Sequence, residues 1–197
     1  MGIVSCSITV SADGFVAGPN QSVDNPLGEN AEQLHRWQFE QREENADEVA
    51  SLVNAGAYIM GRKMFGPDRG EWDLEWTGWW GEDPPYHAPV FVLGHRPRAS
   101  VEMAGGTTFH FVTEGIEVAL ERAKAVAGDR NVAIAGGAST VNQYLAAGLI
   151  DELRLHVAPV ILGSGERLFD GVGPLKLTPI ARSGTDLVTH IRYRLGE

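Results

Sequence analysis

Three short apolar runs, each followed directly by a glycine, alternate with helical segments along the middle of this chain. Residues 57–60, 90–93 and 132–135 are each four residues long. Uninterrupted apolar runs of this length are typical of strands that are covered on both faces, as in parallel sheets. Helical spacing of apolar residues follows at 116–127 and 139–147. This alternation predicts an α/β fold with a mainly parallel sheet and helices on both of its faces.

The two ends of the chain follow other patterns. Residues 3–10 alternate apolar and polar side chains, which predicts a strand with one buried face. Residues 31–54 have helical spacing that an acidic run interrupts, so they predict one broken helix or two consecutive helices. Residues 66–89 hold four tryptophans among prolines and glycines and predict a long structured loop. Residues 153–195 alternate for much of their length and predict antiparallel strands at one edge of the sheet.

Length and charge limit the class of protein. A chain of 197 residues predicts one domain over positions 1–197, because domains typically contain ~100–200 residues. Hydrophobic residues make up 43%, which is enough to bury a core. The formal net charge is −10 and no run of Lys or Arg interrupts it, so a nucleic-acid surface is not expected, because phosphate binding needs clustered cations. A local cationic pocket for one small anion remains compatible with this charge.

The single cysteine, Cys6, excludes an intramolecular disulfide and a cysteine-based metal site, and we predict no metal site. No stretch approaches the ~18–20 consecutive apolar residues that a membrane span requires. The sequence begins with a strand-like pattern and has no basic leader. The expected class is a soluble, cytoplasmic protein without a membrane partner.

The sharpest local motif is a strand that turns through paired glycines into a helix. It runs from Ala135 through Gly136 and Gly137 to Thr140. Such a turn presents free backbone N–H groups and the positive end of a helix, and the absence of Cβ atoms lets a pyrophosphate approach closely. The motif is neither GxGxxG nor a P-loop. The alternative is a tight turn that binds nothing.

Cations follow two of the other glycine-ended strands. Arg62 and Lys63 follow Gly61, and His95 and Arg96 follow the glycine after the run at 90–93. Ligands of open α/β sheets bind outside the carboxyl ends of the strands, so these side chains are placed to meet a phosphate. Surface cations after a strand are also common without any ligand. Together, the three strand ends favour a nucleotide cofactor with several phosphates.

Five motifs in order resemble the dihydrofolate reductase-like superfamily and, within it, the C-terminal reductase domain of the bifunctional riboflavin-biosynthesis deaminase-reductase. The motifs are SADGFVAG, IMGRKMF, PVFVLGHRP, AIAGGASTVNQYL and DELRLHVAPVILGSGERLF. The resemblance spans residues 3 to about 195. It implies a three-layer α/β/α fold with a mainly parallel mixed sheet of about eight strands and an antiparallel C-terminal hairpin. It also implies an NADPH-dependent reductase that pairs as a homodimer.

The same resemblance assigns cofactor contacts to four short segments at strand ends or helix starts. The segments are Val16 and Ala17 for the nicotinamide pocket; Gly61, Arg62 and Lys63 for the adenosine phosphates; Leu93, His95 and Arg96 for the adenine and its 2′-phosphate; and Ala135, Gly136, Gly137, Ala138, Ser139, Thr140 and Val141 for the pyrophosphate. A 2′-phosphate needs added positive charge, so the cationic strand ends favour NADPH over NADH.

The proton donor is not assigned by any motif. Folate reductases use a carboxylate after the first loop, and Glu29 and Glu32 lie near that place in this chain. Asp13 is a third candidate, with a structural role in the turn with Gly14 as its alternative. Riboflavin reductases usually carry Glu directly before the paired glycines, where this chain has Ala135.

The expected function is NADPH-dependent hydride transfer to a small pterin- or pyrimidine-type heterocycle. One alternative is a 5-amino-6-(5-phosphoribosylamino)uracil reductase of riboflavin biosynthesis, and another is a non-catalytic nucleotide- or ligand-binding homodimer. The tryptophan-rich loop from Glu71 to Tyr86 is interpreted as a lid or substrate wall, or else as a surface loop pinned by buried aromatics or by a dimer contact. His87 and His156 are expected to be structural.

Overall fold

The computed structural model describes residues 2–67 and 70–196. Its strands are β1 (Val4–Ser11), β2 (Phe15–Ala17), β3 (Ala57–Gly61), β4 (Pro89–Leu93), β5 (Val101–Glu102), β6 (Thr108–Val112), β7 (Val132–Gly136), β8 (Glu152–Ala158), β9 (Glu166–Arg167), β10 (Leu177–Thr185) and β11 (Val188–Leu195). Its helices are α1 (Arg36–Glu40), α2 (Ala46–Ser51), α3 (Arg62–Phe65), α4 (Ile116–Ala127) and α5 (Ala138–Ala146), with 3-10 turns at Ala31–His35 and Ala104–Gly106.

One mixed sheet organises the described part of the chain. Its nine strands have the order β10-β11-β8-β1-β7-β3-β4-β6-β5. The six strands from β8 to β6 are parallel. At the edges, β11 pairs antiparallel with β8, β10 with β11, and β5 with β6. This confirms the predicted parallel centre and the C-terminal hairpin. The expected number of about eight strands becomes nine, and the short strands β2 and β9 pair separately.

Helices α4 and α5 cover one face of the sheet. The buried side chains of α4 recur with helical spacing, at Ala119, Ala123 and Ala127, so that this helix lies close to the strands. They pack with the apolar face of β1, which carries Cys6 among others. Tyr144 of α5 is fully buried, and its hydroxyl donates to the Ile116 carbonyl at the start of α4, 2.7 Å away. Both helices begin at the carboxyl ends of parallel strands, since α4 follows β6 and α5 follows β7.

The opposite face is covered only in part. At one side the segment from 31 to 51 packs on β1 and β8, and at the other side the tryptophan-rich loop packs on β3, β4 and β6. Trp72, Trp76 and Trp80 of that loop are partly buried against the fully buried Phe65 and Phe109. Three of the four tryptophans thus pin the loop. Residues 68 and 69 of the predicted loop lie outside the described residues.

The segment at 31–54, for which the sequence predicts one broken helix or two consecutive helices, is a broken helical segment. It divides into the 3-10 turn at Ala31–His35, α1 and α2. At the break, the Gln41 carbonyl accepts two hydrogen bonds from Asn45, one from its side-chain amide, 2.7 Å away, and one from its backbone N–H, 3.2 Å away. In the described residues, no helix is long and apolar enough to span a lipid bilayer.

Candidate functional site

A cleft of about 1310 Å³ begins at the carboxyl ends of β3, β4 and β7 and continues along the uncovered face of the sheet. Fourteen of the fifteen residues predicted to contact a cofactor line this cleft. They come from four segments that are far apart in sequence. The exception is Val141, which is fully buried in the core and so faces away from the cleft. Its side chain does not face the cleft, and its predicted cofactor contact stays a prediction.

The paired glycines form the turn at one end of the cleft. Gly136 has φ of 131°, a backbone conformation that favours glycine, and the Gly136–Gly137 peptide bond is cis. Gly137 is the N-cap of α5 and accepts the backbone N–H of Thr140 at 3.1 Å. Ile116, the first residue of α4, also lines the cleft. Two helix N-termini therefore face the same space, and each favours a negative charge there.

The end of β3 lies directly against the start of α5. A Cβ atom on Gly61 would overlap the Thr140 hydroxyl, so only glycine fits at this position. This close approach explains why a glycine ends the predicted strand at 57–60. It also places the backbone of Gly61 beside the turn at Gly136 and Gly137.

The predicted cations line the cleft, and three of them, Arg62, Lys63 and Arg96, contact a partner. The Lys63 ammonium lies 2.6 Å from the Glu166 carboxylate. Arg96 forms an ion pair with Glu71, and the Arg62 guanidinium stacks over the Trp72 ring, 3.8 Å from its centroid. Sequence reasoning found the cations but not these partners. Glu71 and Glu166 reduce the positive potential at this part of the cleft.

None of the three candidate proton donors lines the cleft. Both oxygens of Asp13 accept hydrogen bonds: from the Ser11 hydroxyl at 2.6 Å, the Gly163 N–H at 2.7 Å and the Leu162 N–H at 3.1 Å. These hydrogen bonds, led by that from Ser11, lower the pKa of Asp13 to about 2. The geometry favours its structural alternative, as an anchor of the loop at 162–163.

Glu29 and Glu32 are exposed, and the Glu29 carboxylate accepts a hydrogen bond from the Asn20 side chain at 2.9 Å. Glu166 is the carboxylate that lines the cleft within the described residues, and sequence reasoning treated it as exposed charge.

The inner part of the cleft has a polar floor that the sequence analysis did not assign to a site. Ser5, Ser7 and Thr9 of β1 line it, beside Arg154 of β8. The small side chains of β1 and β7 leave space above the sheet here, because Ala133 and Ala135 also line the cleft. The sequence contained a signal for this floor, because Ser5 and Ser7 lie on β1, which is a central strand of the sheet.

The walls of the inner cleft come from α2 on one side and from aromatic residues on the other. Ala46 and Val49 of α2 line it, opposite Tyr58 and Trp79. Trp79 and Trp80 both line the cleft and support the substrate-wall interpretation of the loop, while Trp72, Trp76 and Trp80 pin it to the core. His35 lines the cleft as well, and burial lowers the pKa of its imidazole.

The sequence profile of the RibD C-terminal domain family matches residues 3–189. The chain is 26% identical to the uncharacterised protein YyaP of Bacillus subtilis (strain 168) over 172 residues, which cover 82% of this chain and 77% of YyaP. A second uncharacterised protein of that organism, YwjB, is 44% identical over 59 residues, 30% of this chain and 33% of YwjB.

Solved structures share the fold. A protein of Shewanella sp. PV-4 named for riboflavin biosynthesis has a TM-score of 0.67 at 22% identity, with 99% of both chains covered. The riboflavin biosynthesis reductase Rib7 of Saccharomyces cerevisiae has a TM-score of 0.59 at 13% identity, covering 100% of this chain and 89% of Rib7. The fold is therefore dihydrofolate reductase-like, as the motifs implied. Because the family profile spans nearly the whole sequence, the chain belongs to the RibD C-terminal domain family.

Proposed function

We propose that this chain is an NADPH-dependent reductase that transfers hydride to a pterin- or pyrimidine-type heterocycle. The observation that carries the proposal is the convergence of fourteen predicted residues, from four segments, on one cleft that two helix N-termini face. The family is one of riboflavin-pathway reductase domains, which is consistent with a reductase of this kind.

The outer part of the cleft lies at the carboxyl ends of β3, β4 and β7, and its residues fit a phosphate-bearing dinucleotide. Glycines at positions 61, 136 and 137 expose backbone without Cβ atoms, and the starts of α4 and α5 favour anions. Lys63 and Arg96 add charge on either side, in a chain whose net charge is −10. The volume of about 1310 Å³ exceeds the ~300–1,000 Å³ of a typical small-molecule site, so it has room for a cofactor and a substrate together.

When bound, NADPH supplies the hydride, and the protein supplies position and exclusion of water. Val16 and Ala17 of β2 line the cleft. In the inner part, the partly buried Trp79 offers an aromatic surface for a flat ring, and the serines of β1 offer hydrogen bonds to its edge. A heterocycle is therefore the substrate class that this wall and floor suit best.

Two alternatives each have an observation in their favour. Arg42 and Arg154 line the inner cleft and suit a phosphate ester, as in the 5-amino-6-(5-phosphoribosylamino)uracil of riboflavin biosynthesis. The scarcity of carboxylates among the described lining residues, where Glu166 is already paired with Lys63, favours a binding protein without catalysis. The homodimer that the resemblance implies stays a prediction.

Steady-state NADPH oxidation, followed by absorbance, tests the proposal with dihydrofolate and the riboflavin-pathway aminouracil as substrates. We expect turnover with a heterocycle of one of these types. Saturable NADPH binding without turnover on either would contradict the reductase and leave the binding protein. Turnover of the phosphorylated aminouracil alone would select the riboflavin-pathway alternative.

A matched pair of glycine variants links this activity to the cleft. Gly61→Ala should abolish turnover, because its Cβ would collide with Thr140, whereas Gly70→Ala should retain it, since nothing lies within 4 Å of a Cβ at that position. Thermal unfolding of both variants shows whether the loss reflects the site or the fold. Turnover that persists in a folded Gly61→Ala protein would mean that the cofactor lies elsewhere.

A further inference from the structure

A chain of four buried or half-buried side chains ends at the floor of the inner cleft. The Ser7 hydroxyl lies 2.7 Å from Nε2 of His156, and Nδ1 of His156 lies 2.7 Å from Nδ1 of His190. Nε2 of His190 lies 2.8 Å from Oδ1 of Asn45. Ser7 lines the cleft, while the other three residues are buried. The chain thus connects the cleft to the break between α1 and α2.

The far end of this chain fixes the direction of every hydrogen bond in it. The Asn45 amide nitrogen donates to the Gln41 carbonyl at 2.7 Å, so its oxygen faces His190 and can only accept. His190 therefore carries its proton on Nε2 and accepts on Nδ1. His156 then carries its proton on Nδ1 and accepts on Nε2, because a neutral imidazole has one donor and one acceptor. Ser7 must donate its proton to His156.

The surroundings keep both imidazoles neutral. Their exposed fractions are 1% for His156 and 4% for His190, and the fully buried Trp37 packs on both rings, at centroid distances of 4.9 and 5.0 Å. Burial is the main cause that lowers the pKa of His156 to about 3, and the proximity of a second imidazole, His190, adds to it. Burial also lowers the pKa of His190, against the opposing effect of Glu48. Arg154 and His35 are the other groups that act on His156, and both disfavour its charged form.

We infer that Ser7 determines specificity in the inner cleft by presenting only hydrogen-bond acceptor capacity to the ligand, with His156 and His190 as positioning residues. A hydroxyl has one proton and two lone pairs, and this proton is committed to His156. The ligand edge that faces β1 must therefore carry a donor, such as an amino group or a ring N–H. A carbonyl or ether oxygen at that place would meet the Ser7 lone pairs.

This inference rests on the proposed function in taking the ligand to be a heterocycle. The predicted discrimination between a donor and an acceptor at this edge is about tenfold or more, because a polar group left unpaired in a buried site loses its hydrogen bond to water without replacement. Without His156, the Ser7 hydroxyl is free to rotate and to donate into the cleft. The preference should then disappear even though Ser7 is still present.

The tautomers are tested directly by long-range ¹⁵N NMR spectra of the histidine side chains at neutral pH. We expect His190 to be protonated at Nε2 and His156 at Nδ1, with His156→Gln and His190→Gln providing the assignments. In Asn45→Leu, the fixed state of His190 should be lost. Protonation of His156 at Nε2 in the wild type would overturn the inference. This experiment does not depend on any cofactor or substrate.

Ligand selectivity is tested by calorimetric titration of the NADPH-saturated protein with a diaminopyrimidine and the matching dimethoxypyrimidine. The wild type should bind the diamino probe about tenfold more tightly or better, and Ser7→Ala and His156→Leu, which leaves no acceptor for the Ser7 hydroxyl, should each reduce the ratio to within about threefold. His110→Leu, on β6 and hydrogen-bonded to Ser100, is the matched control and should keep the ratio.

The two experiments separate the inference from the proposed function. Binding of both probes with equal affinity by the wild type, or a preference that survives in Ser7→Ala, would overturn the inference and leave the reductase in place. The predicted tautomers without binding of either probe would contradict the heterocycle substrate, and the ligand specificity with it. Thermal unfolding of each variant confirms that the comparison is made between folded proteins.

Discussion

The Lys63 ammonium lies 2.6 Å from the Glu166 carboxylate, and this ion pair joins the turn after β3 to β9 across the mouth of the cleft. Both side chains are more than one third exposed, so the pair contributes only about 0–1 kcal/mol to folding. The position of this ion pair affects ligand binding more than its strength affects stability. Lys63 is predicted to contact the cofactor phosphates, and Glu166 competes with them for its charge.

Glu166→Gln should therefore tighten NADPH binding, by roughly threefold to tenfold at low ionic strength, because a neutral amide releases Lys63 for the phosphate. Fluorescence titration at low and high salt measures the change. Glu40→Gln is the matched control, since it removes the same charge from an exposed ion pair with Arg36 on α1. Equal tightening in both variants would show that only the net charge matters, and weaker binding in Glu166→Gln would contradict the competition.

Arg96→Ala should weaken NADPH binding by about 1–3 kcal/mol and leave NADH binding nearly unchanged, because a charge-assisted contact to the 2′-phosphate exists only in NADPH. Calorimetry with both cofactors gives the two affinities. Arg36→Ala, on the exposed surface of α1, controls for the loss of one positive charge. An equal loss for NADPH and NADH would place Arg96 at another part of the cofactor, and no loss would remove it from the site.

The buried histidine pair makes stability fall as the pH is lowered. The pKa of His156 is lowered in the folded state, to about 3, whereas an unfolded His titrates near 6.5. Between these values the unfolded chain binds more protons, so the stabilisation that is complete above about pH 6.5 is lost progressively on acidification. At pH 5 the loss from His156 alone is about 2 kcal/mol.

Urea unfolding at about pH 7 and pH 5 measures this loss. His156→Gln should show a smaller decrease in the free energy of unfolding than the wild type over this interval. His95→Gln, which removes an exposed histidine at the cleft, should keep the wild-type decrease. A wild-type decrease that is unaltered by the His156 substitution would mean that other groups cause it.

The sequence pattern was sufficient to predict those elements whose structure is determined by neighbouring residues in the chain. The glycine-ended runs at 57–60, 90–93 and 132–135 became adjacent parallel strands β3, β4 and β7, because their covered faces and their turns are both local properties. The predicted cofactor segments converge because the carboxyl ends of parallel strands lie at one edge. β10 was not singled out, since most of its side chains are exposed and give little alternation.

Contacts between residues that are far apart in the sequence could not be predicted from local patterns. Ser7 and His156 are 149 residues apart in sequence, and Lys63 and Glu166 are 103 apart. Their contacts depend on β8 lying beside β1 and on the position of β9, which local periodicity does not define. The role of Asp13 also depends on a distant contact. The sequence alone makes it a candidate acid, but in the structure its carboxylate accepts hydrogen bonds from the backbone N–H groups of Leu162 and Gly163.

The central claim is that the cleft binds NADPH, and calorimetric titration of the wild-type protein with NADPH and with NADH tests it most directly. We expect one NADPH to bind per chain, with an affinity at least about tenfold higher than that of NADH. One charge-assisted contact to the 2′-phosphate accounts for a difference of this size. Equal affinity for the two cofactors, or no saturable binding of either, would contradict the account.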